Sequence, residues 1–169
     1  MILAVDVHYR GSCAIAAGVL FREWKDDEPV AEWTVAIPAV AAYEPGQFYR
    51  RELPCILELL KQVEPLPETI IIDGHVYLDA EGRPGLGRRL YDVLQGRCAV
   101  IGVAKSRFKD TPPEAEIFRG GSKRALYVTA VGVAESDPRR FILRMHGKHR
   151  WPTLLRRADR RARTFEDSS

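Results

Sequence analysis

Six residues, Thr69-Ile70-Ile71-Ile72-Asp73-Gly74, constrain this chain more than any other stretch. A β-branched run of this kind reads as a buried strand, and the Asp-Gly pair that closes it is a turn signal. Such a strand belongs inside a sheet with helices packed over it. Apolar periodicity supplies both. Met1–Tyr9, Cys13–Phe21 and Val30–Ile37 read as three strands joined by Gly11-Ser12 and the charged turn Lys25–Pro29, short connections that favour an antiparallel meander. After a loop at 38–47, Ile56, Leu59, Leu60 and Val63 form the apolar stripe of a helix, with Pro54 tolerated only in its first turn.

Beyond Asp73, a Gly-rich loop at 82–87 precedes a short helix through Leu94, and Ala99–Ala104 is a further buried strand. Residues 107–123 read as a hairpin or a loop across the site. Ala125–Val133 reads as a strand, 137–145 as a helix and Pro152–Arg163 as a last, very basic helix. The fold class is α/β, a mixed sheet of three antiparallel strands followed by parallel strands, flanked by helices. Its element order matches a ribonuclease-H-like arrangement. The 169 residues suit one domain, over 1–163, with 164–169 as a disordered tail.

The chain carries 26 Lys+Arg against 23 Asp+Glu, a formal charge of +3 that hides its distribution. Residues 139–163 hold ten basic side chains against Asp159 alone, a local +9, which leaves −6 on the remainder. An acidic body with an arginine-rich end suggests a polyanionic partner, although a solvated helix has the same composition. No apolar run reaches the roughly 20 residues of a membrane span, and the first residues lack a signal peptide's basic region. A cytoplasmic protein with no membrane partner is the expectation. Cys13, Cys55 and Cys98 are widely spaced and odd in number, so no disulfide-linked partner is expected, and all three read as buried hydrophobes.

Three carboxylates stand out. Asp6 interrupts an apolar strand, where an unpaired charge is costly. Asp73 ends the isoleucine strand, and Glu52 heads the apolar face of the helix that follows the loop. Oxygen donors of this kind suit Mg²⁺, which can activate water against a phosphodiester. Taken singly, Asp73-Gly74 is also a turn and Glu52 beside Arg51 a surface ion pair, so spacing alone leaves both readings open.

Read in order, the segments resemble the endonuclease V family. Ala4-Val5-Asp6-Val7-His8-Tyr9 is similar to its first strand motif. Tyr43-Glu44-Pro45-Gly46-Gln47-Phe48-Tyr49-Arg50-Arg51-Glu52-Leu53-Pro54 is similar to its second. Ile70–Gly74 and Ile101-Gly102-Val103-Ala104-Lys105 resemble the third and fourth, and Leu155-Arg156-Arg157-Ala158-Asp159 the closing pattern. The resemblance implies a ribonuclease-H-like fold. It also implies Mg²⁺-dependent hydrolysis, with Mn²⁺ able to substitute, of phosphodiesters near deaminated purines, chiefly inosine. Cutting would fall one nucleotide beyond the lesion on its 3′ side and leave 5′-phosphates. DNA is the implied partner, with RNA as a further possibility.

Carried onto this chain, the resemblance makes Asp6, Glu52, Asp73 and Lys105 catalytic. Asp6, Glu52, Asp73 and Asp159 would be the metal-site residues, with Lys105 near the scissile phosphate. Tyr43 and Pro45 would form a wedge beside the lesion, Gly46 and Gly74 would line the base pocket, and Arg156 and Arg157 would contact nucleic acid. Lys105 otherwise reads as a solvated lysine, and Asp159 as a helix-surface partner for Arg156 or Arg163. Both glycines also suit turns.

Several positions depart from the family's pattern. His75–Gly87 replaces a Gly and His-Pro-Arg-like stretch, Glu44 puts a charge inside the wedge, and Val131-Gly132-Val133 replaces a Gly-His pair. The sequence also starts at the first strand, without the family's usual helical extension. Inosine preference is therefore an open question, and a non-catalytic binding module on the same fold is the alternative.

Overall fold

The computed structural model describes residues 1–134 and 137–166. Strands β1 (Ile2–Arg10), β2 (Cys13–Phe21) and β3 (Ala31–Ile37) form the antiparallel meander. Helix α1 (Phe48–Leu60) returns the chain so that β4 (Thr69–Asp73) lies parallel to β1. Helix α2 (Leu86–Val93) leads to β5 (Ala99–Ala104), parallel to β4. A single 3-10 turn (Pro113–Ala115) precedes the two-residue β6 (Glu116–Ile117), followed by β7 (Leu126–Val131), α3 (Arg139–Arg144) and α4 (Thr153–Thr164). The sheet order is β3-β2-β1-β4-β5-β7-β6.

Side-chain alternation builds two cores. Leu3, Val5, Ile70, Ile72 and Val100 face α1 and α2, where Cys55, Ile56, Leu59 and Leu90 cover them. Ile2, Ala4, Ile71, Ile101 and Val103 face the other way, under Ile142 of α3 and Leu154, Leu155 and Ala158 of α4. Ile70, Ile71 and Ile72 are thus buried whichever face they take, as their run of β-branched residues requires. Truncating any of them to Ala would cost about 2–5 kcal/mol.

Four local expectations change. Pro54 sits in the second turn of α1 rather than the first. It is exposed, so the carbonyl one turn back that its missing N–H cannot reach faces water instead of a dry core. β7 runs antiparallel to β5, so only β1, β4 and β5 are parallel. The 107–123 segment contributes a short strand, β6, paired to β7 at the sheet edge. Cys13 is only half-buried, its thiol bonded to the Arg10 carbonyl in the β1–β2 turn, whereas Cys55 and Cys98 are buried; all three are free. Among the described residues no helix is long and apolar enough to cross a membrane. Half of the expected tail at 164–169, residues 167–169, lies outside the described residues, and Thr164 still belongs to α4.

Candidate active site

Register brings the first two carboxylates together. Pairing of β1 with β4 runs from Ile2↔Thr69 to Val5↔Ile72, so Asp6 and Asp73 fall side by side one step further along. By parity both belong to the α4 face of the sheet. There α4 presents Asp159, whose carboxyl lies close enough to that of Asp6 for the two to perturb each other's titration. Glu52 comes from the opposite layer, on α1, and is only 4% exposed. Asp6, Glu52 and Asp73 line one cavity of about 720 Å³ at the C-terminal end of β4, together with Lys105, Tyr43, Gly46 and Gly74.

The electrostatics are those of crowded anions. Burial, then the neighbouring Asp73 and Asp159, hold the Asp6 carboxyl well above the usual carboxylate range. Burial likewise pushes Glu52 up to about 8, although a hydrogen bond from the Tyr9 hydroxyl, 2.8 Å from Oε2, works against the shift. Burial raises Asp73, while Lys105 Nζ at 3.3 Å from Oδ2 opposes it. Burial also acts upward on Asp159, but the Arg163 guanidinium at 2.7 Å and the nearby Asp6 carboxyl outweigh it and lower this group. Asp159 is thus the partner of Arg163 that one reading of its position expected, and it also stands beside Asp6.

Hard oxygen donors that are costly to ionise in one place fit a divalent cation. The ligand sphere is gathered but not closed. Among the described residues no three His, Cys, Asp or Glu side chains stand close enough together to hold an ion as they are. Tyr9 bonds Glu52 on the α1 side, and Lys105 pairs with Asp73.

Lys105 follows β5 directly and is held over the Trp151 ring at 4.3 Å, a cation–π contact that aims its ammonium at the carboxylates. Tyr43 and Pro45 are exposed, with Tyr43 on the cavity rim. Gly46 adopts φ +77° in the turn leading into α1, so the turn requirement and the cavity position coincide at one residue. The Glu44 charge is met by Arg50 at 3.7 Å. The divergent segment 75–87 folds as a closed loop in which Gly85 N–H donates to Val76 O and Gly87 N–H to His75 O. A Cβ at Gly85 would lie 2.5 Å from the His75 carbonyl, so this closure requires glycine.

Arg157 is engaged elsewhere: it binds Glu32 at 2.5 Å and Glu28 at 2.9 Å, fastening α4 to β3 and the turn before it. Arg156 lies half-buried in a groove that it lines with Glu28, Glu32 and Arg157, and it does not line the carboxylate cavity.

Several residues of the site carried no recognisable signal. Tyr9, its ring under the Arg51 guanidinium at 3.9 Å, is a strand residue whose partner Glu52 is 43 positions distant. Trp151 reads as one aromatic in a basic stretch. His75, bonded through Nε2 to the Ser106 carbonyl at 3.1 Å and with its imidazole pulled below the usual range by burial, sits in the segment that departs from the family pattern. Arg89 stacks on Tyr49 at 3.6 Å, forming a further wall of the cavity.

Residues 1–136 match the family model of endonuclease V. The chain belongs to the endonuclease V family. Endonuclease V of Alkalilimnicola ehrlichii is 27% identical over 176 positions, covering 92% of this chain and 76% of that protein. The crystal structure of the Streptomyces avermitilis endonuclease V superposes with a TM-score of 0.75 at 28% identity, over 96% of this chain and 79% of that one. The fold also matches Ciona intestinalis endonuclease V, solved in complex with a 24mer DNA containing an inosine followed by a ribo-adenosine (TM-score 0.74, 18% identity, 96% of this chain and 83% of that chain). The matched family segment carries Asp6, Glu52, Asp73 and Lys105. Asp159 lies beyond it, in α4.

Proposed function

We propose that this chain is a divalent-metal-dependent endonuclease, with Mg²⁺ the expected ion and Mn²⁺ a substitute. It would hydrolyse phosphodiesters in DNA, with RNA as a second substrate, near inosine or other perturbed sites. One observation carries the reading: Asp6, Glu52 and Asp73 line a common cavity beside Lys105. The Ciona protein's inosine-containing DNA supports the choice of substrate class.

Asp6, Asp73 and Glu52 are the residues that would hold the cation, with Asp159 next to Asp6. A divalent ion held there supplies charge neutralisation and water activation for attack on phosphorus. Tyr9 donates to one oxygen of Glu52, which fixes the carboxylate and leaves its other oxygen available. Lys105, steadied by Trp151, puts a positive charge where the transferring phosphoryl group gathers negative charge. Asp159 and Arg163 hold the outer side of Asp6. Tyr43 at the rim suits the gap left when a base is extruded, and Gly46 and Gly74 leave room for that base. The products would be a 5′-phosphate and a 3′-hydroxyl, from a cut one nucleotide 3′ of the lesion.

The test incubates labelled strands bearing one inosine with the protein, in Mg²⁺ or in EDTA. Cutting beside the lesion in Mg²⁺ only, lost in Asp6→Ala, is the expected result. Persistence in EDTA or in that variant overturns the mechanism. Tight, salt-dependent binding without cutting of any strand replaces it with the non-catalytic binding module.

A further inference from the structure

A second groove, of about 430 Å³, opens beside the carboxylate cavity and shares Lys105, Ser106 and Arg107 with it. Its far wall carries Lys123 and Arg124, both exposed, and Phe118, which is 55% exposed. Among the described residues none of Arg107, Lys123 and Arg124 is ion-paired to a carboxylate, and Glu116 is the one acid in the lining. Arg124 also lies close enough to Arg150 to repel it. Cations crowded without counter-ions along a groove favour an anionic ligand.

The groove is rigidly built. Arg150 spans it from beneath, donating to the carbonyls of Lys105 at 2.5 Å and Ala125 at 2.6 Å. Phe118 is followed by the buried Arg119, whose guanidinium donates to the carbonyls of Met145, Gly147 and His149. A large aromatic exposed on a backbone pinned in this way is a fixed platform with an uncovered face. Bases in a duplex hide their faces, whereas single-stranded bases stack on such platforms with little sequence preference.

We propose that this groove is a track for a single-stranded flank of the nucleic acid cut in the carboxylate cavity. Lys123 and Arg124 take its phosphates and Phe118 stacks one of its bases. The inference rests on the nuclease reading above and adds to it where the strand runs after leaving Lys105.

The test is single-turnover cleavage in Mg²⁺ of three inosine-bearing single strands. One has long flanks on both sides of the lesion, and the other two are trimmed close to it on one side each. The expected result for the long strand in Phe118→Ala is a half-saturating protein concentration about ten-fold higher, with an unchanged maximal rate. For one of the trimmed strands, wild type and variant should coincide. Phe118→Trp should behave as wild type. Lys123→Ala/Arg124→Ala should reduce the slope of log affinity against log salt by about 1.4, the amount expected for two single-strand phosphates. If wild type cuts but these variants match it on every strand, the track is overturned and the nuclease reading stands. An equal Phe118→Ala effect on a fully duplex substrate overturns the stacking. Failure of wild type to cut any strand overturns both readings.

Discussion

Asp6 shows how far a single residue is held from its own preference. Its side chain is raised well above the usual carboxylate range because burial and two neighbouring acids oppose its charge. Asp6→Asn keeps a donor for Asp159 and removes the titrating group. Cleavage should fall by about three orders of magnitude, the scale of losing a group that stabilises transition-state charge. The same variant should melt higher than wild type in EDTA at pH 8, measured by calorimetry. The sign follows from linkage: a carboxyl whose folded value is raised binds more protons in the folded state, so stability falls as pH climbs from about 4. The loss is complete once pH passes the folded values, about 8 for Glu52. Metal-free wild type should therefore lose stability across that window, and Asp6→Asn should lose less.

At the scale of elements, α4 matters most because it carries Asp159 to Asp6, and two devices hold it there. The first is Arg119, buried among the carbonyls of Met145, Gly147 and His149 in the connection from α3 to α4. Arg119→Ala leaves the buried Met145 carbonyl and the part-buried carbonyls of Gly147 and His149 without their donor and should cost about 3 kcal/mol in urea unfolding, a value typical of breaking a buried charged network. The second is the pairing of Arg157 and Arg161 with Glu32 on β3. Glu32 is held below the usual range chiefly by the Arg157 bond. Its contribution is fully present above its ordinary value of 4.5 and disappears as pH drops through the lowered one. Glu32→Gln should therefore lower stability above about pH 4.5 by a constant amount and flatten the acid side of the stability-versus-pH curve, as thermal melts between pH 3 and 8 would register. The positive character of α4 is thus divided between internal bracing and residues such as Arg156, a division that a charge count over 139–163 does not reveal.

For the whole molecule, a cation that binds carboxylates brought together only by folding adds to folding stability. At a hundred-fold excess over its dissociation constant, Mg²⁺ should add about 2.7 kcal/mol. The melting temperature should rise with Mg²⁺, return with EDTA and stay flat in Asp6→Asn. An equal rise in that variant would show that the ion acts elsewhere.

The amino-acid sequence by itself determined the strands, because β-branched runs such as Ile70-Ile71-Ile72 have no other stable burial. It also singled out Asp6, because a carboxylate in an apolar strand is costly, while the ordered set with Glu52 and Asp73 came from the resemblance to the family. Other features are non-local, and no periodicity encodes them. Tyr9 finds Glu52 across 43 positions, Arg119 finds carbonyls about 30 positions on, and Lys105 rests on Trp151. The interior Pro54 depended on which face of α1 met water, and the direction of β7 on its pairing with β5 and β6. Only the tertiary structure decided that Asp159 meets Asp6 while Arg157, two residues earlier, is turned away to Glu32. On a helix, residues two apart point to nearly opposite sides, and packing against the sheet chose which side met the carboxylates.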